Sequence, residues 1–350
     1  MTITSVTKAR KPWDAKDNTY RLQQILVHVG TPLLAVLVVA TTGIRGGSGL
    51  FCTWLGLHLV TGALLAKFGR RKYSIANSTI EILLAASLIV FVSAAMSVLN
   101  PVFSKGIAAF SSNLLFQDAS TVEPGAELVT GGILHAILGT TIIVFFASVI
   151  SIPIGILAAL YVTEVRGKLT PYVRFFVQAM AGVPSIVAGL FVYAALIVSG
   201  ILNFSGLSGA IALSILMLPT VARTAEEVLL LVPDDLRSAA LALGATQRKV
   251  IRMVVLPSAG AGLVTASILG VARVTGETAP LLLTAFGSTQ INANPFTDPM
   301  AALPIYIFTQ MLLGTDNDVA RAWFACMVLM IMVALLFGTA RLLVSRRKLK

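Results

Sequence analysis

The stretch ILHAILGTTIIVFFASVISIPIGILAALY, residues 133–161, decides the class of this chain. It contains no Asp, Glu, Lys or Arg, and about 20 apolar residues in a helix are enough to cross the hydrocarbon of a bilayer. In that medium a crossing segment must satisfy its own N–H and C=O groups, which a helix does. Seven more stretches have the same character, at 22–40, 50–66, 80–99, 175–198, 207–222, 258–286 and 322–343. The expectation is an all-α polytopic membrane protein with about eight transmembrane helices. Composition agrees, since 57% of the 350 residues are hydrophobic and only 12% are charged. Such a chain cannot cover itself with polar surface.

A net charge of +11 would suit nucleic acid if the basic residues clustered on one polar face beside aromatics or a recognisable motif. They lie between the apolar stretches instead, and Lys and Arg concentrate in connections that stay in the cytoplasm. With the N-terminus inside, twenty-two of the twenty-six fall on the cytoplasmic side. Only Arg45, Lys105 and Arg321, at the edge of the last stretch, fall outside, and Arg273 falls within a span. This predicts a multi-pass protein of the cell membrane with both termini cytoplasmic. The first apolar stretch follows a basic tail and could pass for a signal peptide, but the next begins within ten residues, so an uncleaved anchor is expected. The basic linker 67–72 marks a boundary between a tail plus two-helix extension, 1–72, and a six-helix body, 73–350. Residues 299–314, broken by Pro304, are too short to span and read as an interfacial or re-entrant piece.

An enzymatic role finds little support. Cys52 and Cys326 lie far apart in apolar runs and are expected to pack as small hydrophobes. His28, His58 and His135 are isolated, so no metal, cofactor or nucleophile set is expected. There is no GxxxxGK[ST], hence no P-loop for ATP hydrolysis in this chain.

The longest cytoplasmic connection, 226–257, contains VPDDLRSAALALGATQRKVIRMVVLP at 232–257. Pro233 suits a first helical position, Asp234 and Asp235 favour the positive end of a helix dipole, and Gly244 suits a stop. A short Ala-rich helix is predicted, followed by a second, about 247–255, ending at Leu256 and Pro257. An Ala-lined face can approach a partner groove closely, so this is either a docking element or an ordinary hairpin between spans. In the seventh stretch Arg273 and Glu277 stand four residues apart, on one face of a helix. Each charge costs about 3 kcal/mol at the bilayer centre, so both must face protein or water. They are expected to meet. They either form a self-neutralising pair that locks this helix to its neighbours or put a cation on the path of an anion. Pro153, Pro184, Pro219 and Pro280, inside predicted spans, allow kinked helices around a cavity.

Ser238-Ala239-Ala240, Gly244 and Leu256-Pro257, at their spacing, resemble the EAA loop of ABC-importer permeases, where Glu and Ile are usual at the positions of Ser238 and Val254. The stretches 131–141, 152–164, 182–193 and 272–285, above all GETAPLL at 276–282, resemble the PstA-type permeases of phosphate-specific ABC importers. This resemblance covers the region from Ile80 to Arg341. It implies docking of an ATP-binding subunit, in two copies, through Ser238, Ala239, Ala240, Gly244, Leu256 and Pro257. It also implies pairing with a PstC-like permease, delivery by an extracytoplasmic phosphate-binding protein, and roles for Arg273 and Glu277 in phosphate passage. The rival expectation is a secondary transporter of a small anion driven by an ion gradient, which would have no need of a docking loop.

Overall fold

A computed structural model describes residues 30–42, 49–50, 53–58, 60–61 and 75–347. The first two predicted spans therefore lie partly outside the described residues, as do Cys52, His28 and the 67–72 linker. The chain divides into two units, Met1–Leu99 and Asn100–Lys350. In the first, α1 (Thr31–Thr42) carries no charged residue, and α2 (Ile75–Ala108) begins here and continues beyond it. His58 is buried, with its Nδ1 2.9 Å from the Thr31 hydroxyl and its ring 5.5 Å from that of Trp54. It is a packing histidine, as expected.

The second unit is helical throughout its regular structure. The short α3 (Ser112–Phe116) precedes α4 (Leu134–Leu160), which continues as a π-turn over Tyr161–Val165. Next come α5 (Thr170–Ala181) and α6 (Ser185–Val192), the latter prolonged by a π-turn, Tyr193–Ile197. α7 (Gly206–Leu230) leads to α8 (Asp234–Ala242) and α9 (Gln247–Val250). Then follow α10 (Leu256–Thr275), α11 (Ala279–Leu282), α12 (Leu303–Leu313) and α13 (Asp316–Arg347). Among the described residues, five helical stretches can cross a bilayer: Ala86–Ala108, Leu134–Val165, Gly206–Leu230, Gln247–Thr275 and Asp316–Thr339. A sixth results if α5 and α6 count as one, but they are bent by 105°. The fold is all-α and polytopic, and α12 is a short apolar helix where a non-spanning piece was expected.

Two predicted spans need correction. The stretch 175–198 is no single helix: Gly182 caps α5, and Pro184 (φ −59°, ψ 140°) takes extended backbone as the N-cap of α6. Pro184 has no N–H for the ladder, and its ring disfavours helical backbone at Val183. The stretch 258–286 is displaced toward its N-terminus. Its helix begins at Gln247, passes Leu256 and Pro257 without ending, and stops at Thr275. A π-turn over Ile251–Val255 precedes Pro257, and such a wider turn shifts the carbonyl that the proline ring would strike. After Thr275, Gly276 and Pro280 turn the chain into α11.

The core forms where α4, α7 and α10 approach closely, and Val221 of α7 is its pivot. A Cβ added to Gly155 would lie 2.9 Å from a Val221 methyl, and one added to Gly270 would lie 2.6 Å from the other. The Ser151 hydroxyl donates to Ser214 O at 3.1 Å, a further link between α4 and α7. Small residues at these crossings are the means by which helices associate in lipid. At the other end of the bundle, Arg321 lies fully buried rather than at an exposed edge. Its Nη2 donates to Glu127 O (2.6 Å) and Ala126 O (3.3 Å), while Asp318 accepts from Gly125 N–H (3.0 Å). These bonds clasp the connection 117–132 to the start of α13. His135 is buried edge-on to Tyr306, with ring centroids 5.5 Å apart.

Gly270→Leu would drive a side chain into Val221 and is expected to destabilise the bundle by about 2 kcal/mol, lowering the unfolding midpoint in detergent. Gly260, with nothing within 4 Å, is the control: Gly260→Ala should leave the midpoint unchanged.

Candidate functional site

The helix predicted in the 226–257 connection forms as α8. Pro233 stands one residue earlier than expected, as N-cap, with Asp234 and Asp235 in the first turn. Gly244 adopts φ +81°, a conformation that costs glycine little and other residues more. There its N–H reaches Leu241 O at 2.9 Å while Ala245 N–H reaches Ala240 O at 3.1 Å. This pair of bonds closes the helix and satisfies its last carbonyls. No atom lies within 4 Å of a Cβ placed on Gly244, so the requirement there is backbone conformation, not space.

Arg237 fixes α8 to the ends of two spans. Its guanidinium reaches Glu164, in the π-turn that ends the α4 span, at 2.7 Å, and Leu229 O near the end of α7 at 2.9 Å. It also donates to Val232 O and, at 3.0 Å, to Asp234. Both partners of the Arg237–Glu164 pair are largely buried, at 15% and 7% side-chain exposure. The Glu164 carboxylate beside it holds the guanidinium above its usual pKa. Gln247 adds a bond from its Nε2 to Glu164 O at 2.6 Å. Sequence reasoning missed both residues. The available signal was that Glu164 is the only acid in the otherwise basic connection 162–174.

Around the side of α8 held by Arg237 and Ala240, the rest of the helix is exposed, with Leu236 and Leu241 flanking the held side. Ser238, Ala239 and Gly244 are exposed, and Leu236, Leu241 and Leu243 present 45%, 52% and 89% of their surface. Ala240 is half-buried against the cluster of Leu229, Val250 and Val255. Leu256 and Pro257 lie further on, inside the continuous helix, and are half-buried and exposed respectively. A cleft of about 450 Å³ opens beside Ser238, Leu241 and Gln247. Exposed leucines on a rigidly held short helix are what a partner's apolar groove requires.

Arg273 and Glu277 do not share a helix face. α10 ends at Thr275 with Gly276 as its cap, so the periodicity that would align them stops between the two. Among the described residues the ion pairs are Arg174–Glu226, Arg237–Glu164 and Arg237–Asp234, so the expected Arg273–Glu277 contact is absent. Arg273 is exposed and donates instead to the Thr220 hydroxyl of α7 at 2.9 Å. Its position is fixed by a neutral partner.

Residues 151–349 match the family described as binding-protein-dependent transport system inner membrane component. The chain belongs to that family. Among this permease's relatives, the phosphate transport system permease protein PstA of Pasteurella multocida is 40% identical over 247 residues, covering 70% of this chain and 86% of the relative. PstA 1 of Mycobacterium tuberculosis (strain H37Rv) is 40% identical over 226 residues, covering 63% and 73%. These relatives bear out membership of the PstA-type permeases. A solved structure of the MetNI methionine ABC transporter aligns at 23% identity with a TM-score of 0.48, covering 61% of this chain and 94% of that one.

Arg237→Ala would leave the buried Glu164 without its cation. The loss of about 2 kcal/mol is expected to raise amide exchange in Asp234–Ala242 at least tenfold by mass spectrometry, with α7 unaffected. Arg237→Lys should recover only part of the protection, because an ammonium cannot reach the carboxylate and both carbonyls at once.

Proposed function

We propose that this permease forms half of the translocation pathway of an ATP-driven importer for inorganic phosphate. A separate ATP-binding subunit would drive it by docking on α8. The observation that carries the reading is α8 itself, a short helix with exposed leucines, clasped by Arg237 to the ends of the α4 and α7 spans. The names of its PstA relatives support phosphate as the substrate. A secondary transporter driven by an ion gradient would need no such docking element.

In the assembled importer, Ser238, Ala239, Ala240 and Gly244 meet the ATPase subunit, and Leu256 and Pro257 carry the docking segment into the α10 span. Two ATPase copies, a PstC-like second permease and an extracytoplasmic phosphate-binding protein complete the complex. ATP is hydrolysed on the ATPase subunits and not on this chain. The α8 side, rich in Lys and Arg, is cytoplasmic by the charge rule, as are both termini. Residues 73–350 form the permease body and 1–72 an extension outside the six-helix plan. Arg273 is the cation of the path, held in place by Thr220, and Glu277 follows at the turn after α10.

Two outcomes are expected. Gly244→Trp strains the αL position and should abolish co-purification of the ATPase subunit while membrane insertion persists; undiminished co-purification would remove α8 as the dock. Arg273→Gln should stop phosphate uptake into proteoliposomes without loosening the complex, and unchanged uptake would return Arg273 to a structural role.

A further inference from the structure

The helix α5 has no part in the site described above, yet it carries three exposed aromatic side chains within five residues. Twelve residues span about 18 Å, too little for a bilayer core of about 30 Å. The 105° bend separating α5 from α6 means that if α6 runs along the bilayer normal, α5 lies nearly in the membrane plane. Its level is set by its contacts. Arg174 bonds through Nε and Nη2 to Glu226 Oε1 at 3.0 and 2.8 Å, close to the end of α7 that leads to α8. Four residues separate α5 from the π-turn whose Glu164 receives Arg237.

The two faces of α5 differ sharply. Val177 is buried, and Val173 and Met180 on the same side are half-buried. On the adjoining side, Tyr172, Phe175 and Phe176 expose 62%, 64% and 62% of their surface, and Ala179 is exposed too. The spacing i, i+3, i+4, i+7 makes one apolar stripe. Lys168 and Arg166, the latter also lining the α8 cleft, stand in the preceding turn. On the facing part of α7, Arg223 and the exposed Glu227 offset each other, while Glu164 and Glu226 are already paired. Aromatic rings with basic neighbours on a helix lying flat are the signature of a headgroup-level anchor.

We infer that α5 is an in-plane anchor in the leaflet on the docking-helix side. Tyr172, Phe175 and Phe176 enter the acyl boundary, and Arg166 and Lys168 select anionic phospholipid. This inference rests on the membrane-spanning reading of the bundle. It competes with a second permease covering the stripe. Charge favours lipid, because the turn that feeds the stripe carries two cations and anionic headgroups attract each by about 1 kcal/mol.

The test uses the whole transporter in nanodiscs of phosphatidylglycerol and phosphatidylcholine, with this chain carrying Cys52→Ser and Cys326→Ser and one spin label at a time. Labels at Phe175 and Phe176 should be reached by oxygen and not by a water-soluble nickel complex. Phe145 and Leu157, exposed on the α4 span, are the controls. If the controls report lipid while the α5 labels are shielded from both reagents, or open to nickel, the anchor is wrong and the bundle reading stands. If the controls also fail to report lipid, the spanning reading itself is lost, and the anchor with it. Arg166→Gln and Lys168→Gln should each lower the enrichment of phosphatidylglycerol around the complex about fivefold, and no change would overturn the headgroup assignment.

Discussion

The close approach of α4, α7 and α10 around Val221 is the constraint on which the rest of this molecule depends. In lipid the hydrophobic effect contributes little to helix association, because acyl chains solvate Leu and Phe as well as protein does. What remains is van der Waals contact, and it needs backbones near enough to touch. Gly155 and Gly270 permit that on opposite sides of Val221. Many large apolar side chains elsewhere, such as Phe145 and Leu157, point outward. A protein inverted by the standards of water is ordinary by those of a membrane.

That packed trio also gives α8 something to push against. A helix of nine residues is too short to persist alone, and without a clasp its motion would not reach the spans. Arg237 removes that slack by joining α8 to Glu164 on one span and to Leu229 O on the next. A buried pair of this kind is costly to form and costlier to break, so it resists shearing more than a cluster of leucines would. The exposed leucines are therefore not needed to hold the helix down.

Much of this was legible in the sequence, and the failures have a common cause. Hydropathy reports that a stretch is apolar, not which way it runs, so 175–198 and 258–286 read as single spans, kinked at most, although Gly182, Pro184, Gly276 and Pro280 were in view. A proline can kink a helix or end it, and which happens depends on whether another element takes up the freed groups. Here Pro280 sits against Gly189 of α6, where a Cβ would come within 2.6 Å of the Pro280 Cα, and that contact is remote in sequence. Arg321 escaped for the same reason. Its partners, Ala126 O and Glu127 O, lie almost two hundred residues away, so local pattern could only place it at an edge. Helix α8 was legible because each of its signals is local: Pro233, two acids and a glycine stop.

The broken face between Arg273 and Glu277 strengthens the transport reading more than the expected pair would have. A carboxylate four residues away on the same helix would neutralise the guanidinium and leave a passing anion little to gain. A threonine hydroxyl orients the cation without cancelling its charge. An unpaired arginine within a span is expensive, and natural chains keep such a charge only where water or a ligand meets it. Under the function proposed above, the cost of holding Arg273 uncompensated at rest is offset each time an anion arrives. On that proposal the compensation comes from the traveller and not from the protein, so the anion is not trapped when the path opens.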